Sequence, residues 1–192
     1  RYRADGIGWR GESFRHVFVV DITSSKVHQV TCGEGEDSAP SWAPNGTKIG
    51  FISDRGEHRD ILNPSGIYTI NPSGDDFRYM SPELNSVAAM TWSPDSGAIL
   101  AVGSDVQDAN ASSQSWLFVL KEGNAPQKLT DDSISPAGGN APLVPPPDIH
   151  WTFDDRVVFL AGHRGMTSLH VLSIENQSLE QKAKNVRGAT QI

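Results

Sequence analysis

SWAPNGTKIGFISDR, residues 41–55, sets a tryptophan before a proline-led turn, then an apolar run, then charge. The same order returns as TWSPDSGAILAVGSD at 91–105 and, less faithfully, as HWTFDDRVVFLAGHR at 150–164. A chain that rewrites one short arrangement is built from repeated supersecondary units, and the period identifies the unit. Trp42, Trp92 and Trp151 stand 50 and 59 residues apart. A second anchor follows each of them. The runs are HVFVVDI (16–22), GIYTINP (66–72), WLFVLKE (116–122) and LHVLSIE (169–175). Their third residues, Phe18, Tyr68, Phe118 and Val171, are spaced 50, 50 and 53 apart. HQVT (28–31), RYMS (78–81), QKLT (127–130) and LEQKA (179–183) close the units.

Each unit holds four short β-like segments. In the first full unit these are APSWA (39–43), KIGFIS (48–53), GIYTI (66–70) and FRYMS (77–81). The middle two are rich in β-branched and aromatic residues. Runs such as IGFI and VVFLA, apolar at successive positions, indicate strands buried on both faces. Pro-Asn-Gly at 44–46 and Pro-Asp-Ser-Gly at 94–97 supply the turns between first and second strands. Proline fixes φ there, and Asn or Asp with Gly tolerates the left-handed position. Four antiparallel strands every 50 residues or so predict β-propeller blades, which bury their faces only by stacking on neighbours.

The fold class is therefore all-β, a partial β-propeller with about three complete four-stranded blades and flanking strands. The expected blades are 38–81, 87–130 and 147–183. A half blade lies within 1–31, its strands at 15–31, and VRGATQI (186–192) begins a further inner strand. The tryptophans fall on the innermost strands, where core packing between sheets is the expectation. The N-terminus, RYRADGIGW, reads like mid-strand sequence, so a piece of a longer protein is expected.

Composition fits this reading. Of 192 residues, 37% are hydrophobic and 20% charged, while Gly 18 and Pro 12 favour turn-rich β structure. The net charge of −7, without a basic stripe, argues against nucleic acid as a partner. No run approaches the ~18 apolar residues that span a bilayer, so no membrane association is expected. Cys32 is the lone cysteine, which rules out an internal disulfide and a CxxC metal site. It leaves the compartment open, with a cytoplasmic location favoured over a periplasmic one.

With the units in order, a family resemblance follows. The pattern P-x-W-(S/A)-P-(D/N)-G-x-x-I-x-F-x-S-(D/N)-R followed by IY-x-(I/V) is similar to TolB-type propeller repeats. The larger succession runs from YRADGIGW (2–9) and RHVFVVDITSSKVHQVT (15–31) through DSAPSWAPNGTKIGFISDR (37–55), SGIYTINPSG (65–74), MTWSPDSG (90–97) and QKLTDD (127–132). It ends with GGNAPLVPPPDIHW (138–151) and HRGMTSLHVLSIENQSLEQ (163–181). This order resembles the N-terminal propeller of prolyl oligopeptidase family serine peptidases, and within them the acylaminoacyl-peptidase-like branch. Thr152-Phe153 departs from the Ser-Pro pattern, and Ser96-Gly97 stretches one turn. The resemblance implies a C-terminal α/β-hydrolase domain with a Ser-Asp-His triad, its nucleophile in a GxSxG elbow. This sequence contains no GxSxG. It implies a non-catalytic propeller portion that gates or positions peptide substrates for that domain. The alternative is a TolB-like protein-binding scaffold with no enzymatic activity.

No catalytic, cofactor or metal residues are expected within the chain. There is no HExxH, no DxDxDG loop, and no βαβ unit around Gly6-Ile-Gly8. His16, His28, His150 and His170 fall in or beside strands, where packing or an exposed face explains them. His58 and His163 fall in loops between second and third strands, which share one propeller face with the connections between blades. Arg55, His58, Arg59, His163 and Arg164 are therefore the candidate binding residues of a common rim. The rim also draws on Glu34, Glu36, Asp37, Asp54, Glu57, Asp60, Glu83, Asp105, Asp108, Asp131 and Asp132. That excess of acid predicts a negative face for cationic peptide ends or a basic partner domain. The crossover 136–148 is too rich in proline to be helical. Open terminal blades predict either self-association through uncovered apolar faces or poor solubility.

Overall fold

The structure is a computed structural model that describes residues 13–55, 64–107, 114–136, 146–163 and 166–184. Among these residues there is no helix, and all strand pairs are antiparallel. A two-stranded sheet comes first, β1 (Phe18–Val20) with β2 (Val27–Gln29). The first full blade pairs β3 (Asp37–Trp42), β4 (Ile49–Ser53), β5 (Gly66–Ile70) and β6 (Arg78–Tyr79) in that order. The second pairs β7 (Ser86–Trp92), β8 (Ile99–Ser104), β9 (Trp116–Leu120) and β10 (Gln127–Lys128). The arc of blades read from the sequence is the architecture observed.

The third blade begins earlier than the sequence indicates. Its inner edge carries two short strands, β11 (Ser135–Pro136) and β12 (Ile149–Trp151), both paired with β13 (Arg156–His163). Then come β14 (Met166–Ser173) and β15 (Leu179–Ala183). In the other blades the inner strand carries a register shift between Ser38 and Ser41 and between Val87 and Ala89. The proline-rich crossover leaves the third inner strand at the corresponding level. It interrupts that strand instead of joining two blades. Residues 137–145 lie outside the described residues.

Burial follows from stacking. All residues of β4, β8 and β9 are buried, as strands covered on both faces must be. Three apolar clusters fill the gaps between successive sheets. Val17, Val30, Ile49, Phe51 and Ile70 join the two-stranded sheet to the first blade. Ile52, Ile67, Trp92, Ile99 and Phe118 join the first blade to the second. Leu100, Leu117, Val157, Phe159 and Leu172 join the second to the third.

Trp92 is a wedge directed at the preceding blade. The Trp92 indole lies over Gly50, where an added Cβ would come within 3.1 Å of the ring, and its Nε1 donates to the Ser41 carbonyl at 3.1 Å. Trp92 is 8% exposed, but Trp42 is 49% exposed. The expectation of core packing thus fails at Trp42. Among the described residues the sheet ahead of it has only its outer two strands, and no inner strand there covers the indole.

A hydroxyl ties the outer strand pair of the first sheet and of the first and second blades. The amides of Val17, Ile67 and Leu117 donate to Thr31 Oγ1, Ser81 Oγ and Thr130 Oγ1 at 2.8, 2.8 and 3.0 Å. This is the physical role of the closing T, S and T of the sequence repeat. The fourth unit has Ala183 there, and its ladder shifts register between Leu169 and His170. The inner turns place a left-handed residue at Gly46 (φ 71°), Ser96 (φ 65°) and Asp155 (φ 56°). In the second turn Ser96, not Gly97, occupies the left-handed position, with its amide closing on the Ser93 carbonyl at 2.9 Å.

Candidate functional site

One end of each sheet gathers the start of its inner strand and the end of its second strand. Asp37 pairs with Ser53, Ser86 with Ser104, and Ser135 with Gly162. Arg55 follows the end of β4 and His163 ends β13, at this end of their sheets; the loops expected to form the rim, 56–63 and 164–165, lie outside the described residues.

Arg55 is committed to a clamp. Its Nη2 donates to both oxygens of Asp37 at 2.6 and 2.9 Å, its Nε to Oδ1 at 3.1 Å, and its Nη1 to the Cys32 carbonyl at 2.6 Å. The Asp37 carboxylate is fully buried and also accepts from Thr31 Oγ1 at 2.5 Å, with His16 Nδ1 at 3.4 Å. The clamp holds the first sheet to the first blade. The guanidinium also lies 5.5 Å from the centre of the Phe77 ring. Of the other candidates, His58, Arg59 and Arg164 lie outside the described residues. His163 ends β13, its backbone paired with Met166.

The acidic face is smaller than the sequence count. Asp37 and Asp54 are buried, the first by its clamp and the second by accepting from the Glu36 amide at 2.7 Å. Glu36 pairs with Arg15 at 2.9 Å and Asp105 with Lys128 at 3.0 Å. Glu57, Asp60 and Asp108 lie outside the described residues. Among the described residues no group of three or more His, Cys, Asp or Glu converges as a metal site.

A cavity of about 390 Å³ opens at the same end, between the second and third blades. Ser133 and Ile134, from the connection between those blades, form one wall. Met166, Ser168 and His170 from β14 form the floor, and Gln181 and Lys184 close the outer side. Ser168 and His170 are 4% and 6% exposed, and the imidazole stacks on Phe159 at 5.7 Å.

His170 is the residue that sequence reasoning passed over as packing. The run anchors matched Val171 with Tyr68 and Phe118. The ladder instead matches His170 with them: Phe51 pairs with Tyr68, Ala101 with Phe118 and Phe159 with His170. A shift of one residue reverses which face a side chain takes.

Comparison with known proteins fits this architecture. Neither a family model nor a curated protein matches the sequence. Among solved structures, TolB from Acinetobacter baumannii superposes with a TM-score of 0.63 at 16% identity, covering 92% of this chain and 41% of its own. A puromycin-hydrolyzing peptidase of Mycobacterium tuberculosis gives 0.63 at 16% identity, over 84% of this chain and 24% of its own. An oligogalacturonate lyase from Vibrio parahaemolyticus gives 0.61 at 11% identity, over 88% and 48%. The chain thus spans less than half the length of each of these proteins. What it shares with them is the fold, an arc of TolB-like propeller blades.

Proposed function

We propose that this chain is the non-catalytic propeller portion of a prolyl oligopeptidase family serine peptidase, of the acylaminoacyl-peptidase-like branch. Its partner is a C-terminal α/β-hydrolase domain, which supplies the nucleophile, base and oxyanion hole of acyl-enzyme hydrolysis. The propeller restricts access, so short or blocked peptides reach the nucleophile and folded chains do not. The observation that carries this reading is the ordered motif succession from 2 to 181, supported by the fold likeness to a puromycin-hydrolyzing peptidase. The rim carrying Arg55, His58, Arg59, His163 and Arg164 is the face we assign to peptide contact. Arg55 contributes there by fixing the loop it closes.

The second reading is a TolB-like protein-binding scaffold, favoured by the larger share of this chain, 92% against 84%, that superposes on TolB. The full-length protein separates the two. A GxSxG downstream, followed in order by Asp and His, with labelling of that serine by a fluorophosphonate, supports the peptidase. A full-length chain of blades alone, unlabelled, overturns it.

Phe18 and Val20 are each 54% exposed and Val27 59%, on the side of their sheet turned away from the first blade. In the whole propeller we assign this surface to contact with the preceding blade. The separated chain then self-associates through it, and a monomer by sedimentation at high concentration overturns that assignment.

A further inference from the structure

We infer that the cavity between the second and third blades binds a small monocarboxylate carrying an aromatic or bulky apolar group. The inference does not depend on whether a hydrolase domain follows. It comes from comparing one place in three blades. In the first blade Tyr68, Gly66 and Tyr79 meet there, with Tyr79 stacked on Tyr68 at 4.9 Å and lying over Gly66. In the second blade the equivalents are Phe118, Trp116 and Lys128. Trp116 is 6% exposed, its Nε1 donates to Asp132 at 3.0 Å, and the Lys128 ammonium sits 3.5 Å from the indole centre. Both blades therefore plug the space with aromatic rings.

In the third blade the equivalents are His170, Ser168 and Gln181. A hydroxymethyl replaces the indole, an amide replaces the ring or ammonium, and the space stays open. Its volume of about 390 Å³ lies within the ~300–1,000 Å³ usual for small-molecule sites. The vacated volume is shaped by the fold for a flat apolar group, with Ile134 and Met166 as walls. Among the described residues its polar groups are the buried Ser168 and His170, the exposed Ser133 and Gln181, and one cation, Lys184. One ammonium matches one carboxylate. Asp131, two residues before Ser133, is turned back to accept the Ser133 amide at 2.8 Å.

The test labels the methyl groups of the three methionines with carbon-13 and titrates 3-phenylpropanoate into the 192-residue chain. Met166 lines the cavity; Met80 and Met90 pack between the first and second blades and serve as controls. The Met166 methyl resonance shifts with millimolar affinity, as expected for so small a ligand, and the control signals stay. Replacing the acid by 3-phenylpropanamide, or Lys184 by Ala, weakens binding about two- to fivefold, as for an exposed ion pair. Ser168→Trp rebuilds the second-blade plug and abolishes the shift. Gln181→Tyr, which installs the ring found at Tyr79, does the same and serves if the tryptophan variant does not fold. Shifts at all three methyls, equal binding of the amide, or binding that survives whichever plug variant folds overturns the assignment.

Discussion

Arg55→Ala tests the clamp between the first sheet and the first blade. The substitution removes three donor contacts to a carboxylate that is fully buried and leaves it with Thr31 and His16. Breaking a buried ion pair from one side costs roughly 3–5 kcal/mol, because a desolvated charge is left behind. Arg55 keeps 16% of its side chain exposed, so water partly repairs the loss, and the lower end of that range, about 3 kcal/mol, is expected. Loss of the bond to the Cys32 carbonyl adds about 1 kcal/mol. The double variant Asp37→Asn with Arg55→Met leaves no buried charge and recovers about half of the deficit. Urea unfolding measures the total. Amide hydrogen exchange locates it: protection falls in Phe18–Val20 and Val27–Gln29 and persists in Ile99–Ser104 and Trp116–Leu120. Arg156→Ala is the control, since its pair with Asp154 is more than half exposed on both sides and its loss leaves the urea midpoint nearly unchanged. A cost below about 1 kcal/mol for Arg55→Ala, or exchange that rises evenly along the chain, refutes the clamp.

Three further outcomes follow from the same geometry. Trp92→Ala costs about 3–5 kcal/mol in urea unfolding because it vacates the seat over Gly50, while Trp42→Ala costs about 1 kcal/mol or less. Gln177 holds φ at 54°, so Gln177→Gly relieves left-handed strain and raises stability by about 0.5–1 kcal/mol, read from the thermal midpoint. Burial pushes the Tyr68 phenol up to about 12 from its usual 10.0. The folded chain then keeps a proton that the unfolded chain releases, so stability falls as pH rises from about 10 to 12, and Tyr68→Phe flattens that slope in unfolding measured across this range.

The blades were legible because each strand and turn repeats a physical requirement. IGFI and ILAV must be apolar on both faces, since a sheet lies on either side of them. Thr31, Ser81 and Thr130 recur because each accepts a buried amide. Two kinds of feature were not legible. Pairing partners set the place of Ser135 and Pro136 on the third blade, and a two-residue strand has no periodicity to read. Side-chain partners set the fate of Arg55: the motif placed it at the rim, but only the fold brings Asp37, eighteen residues earlier, under its guanidinium. The cavity escaped notice for a related reason. Ser168 and His170 are ordinary strand residues, and only the ladder shows that they stand where other blades hold Trp116 and Phe118.

The account turns on sheets that stack face to face, with the Trp92 indole seated on the blade before it. Nuclear Overhauser contacts from the Trp92 indole proton test this directly. The account predicts cross-peaks to the α-protons of Gly50 and Ser41, on a strand pair more than forty residues earlier in the chain. An assigned Trp92 indole whose only contacts fall within its own sheet, Ser86 to Lys128, would contradict it.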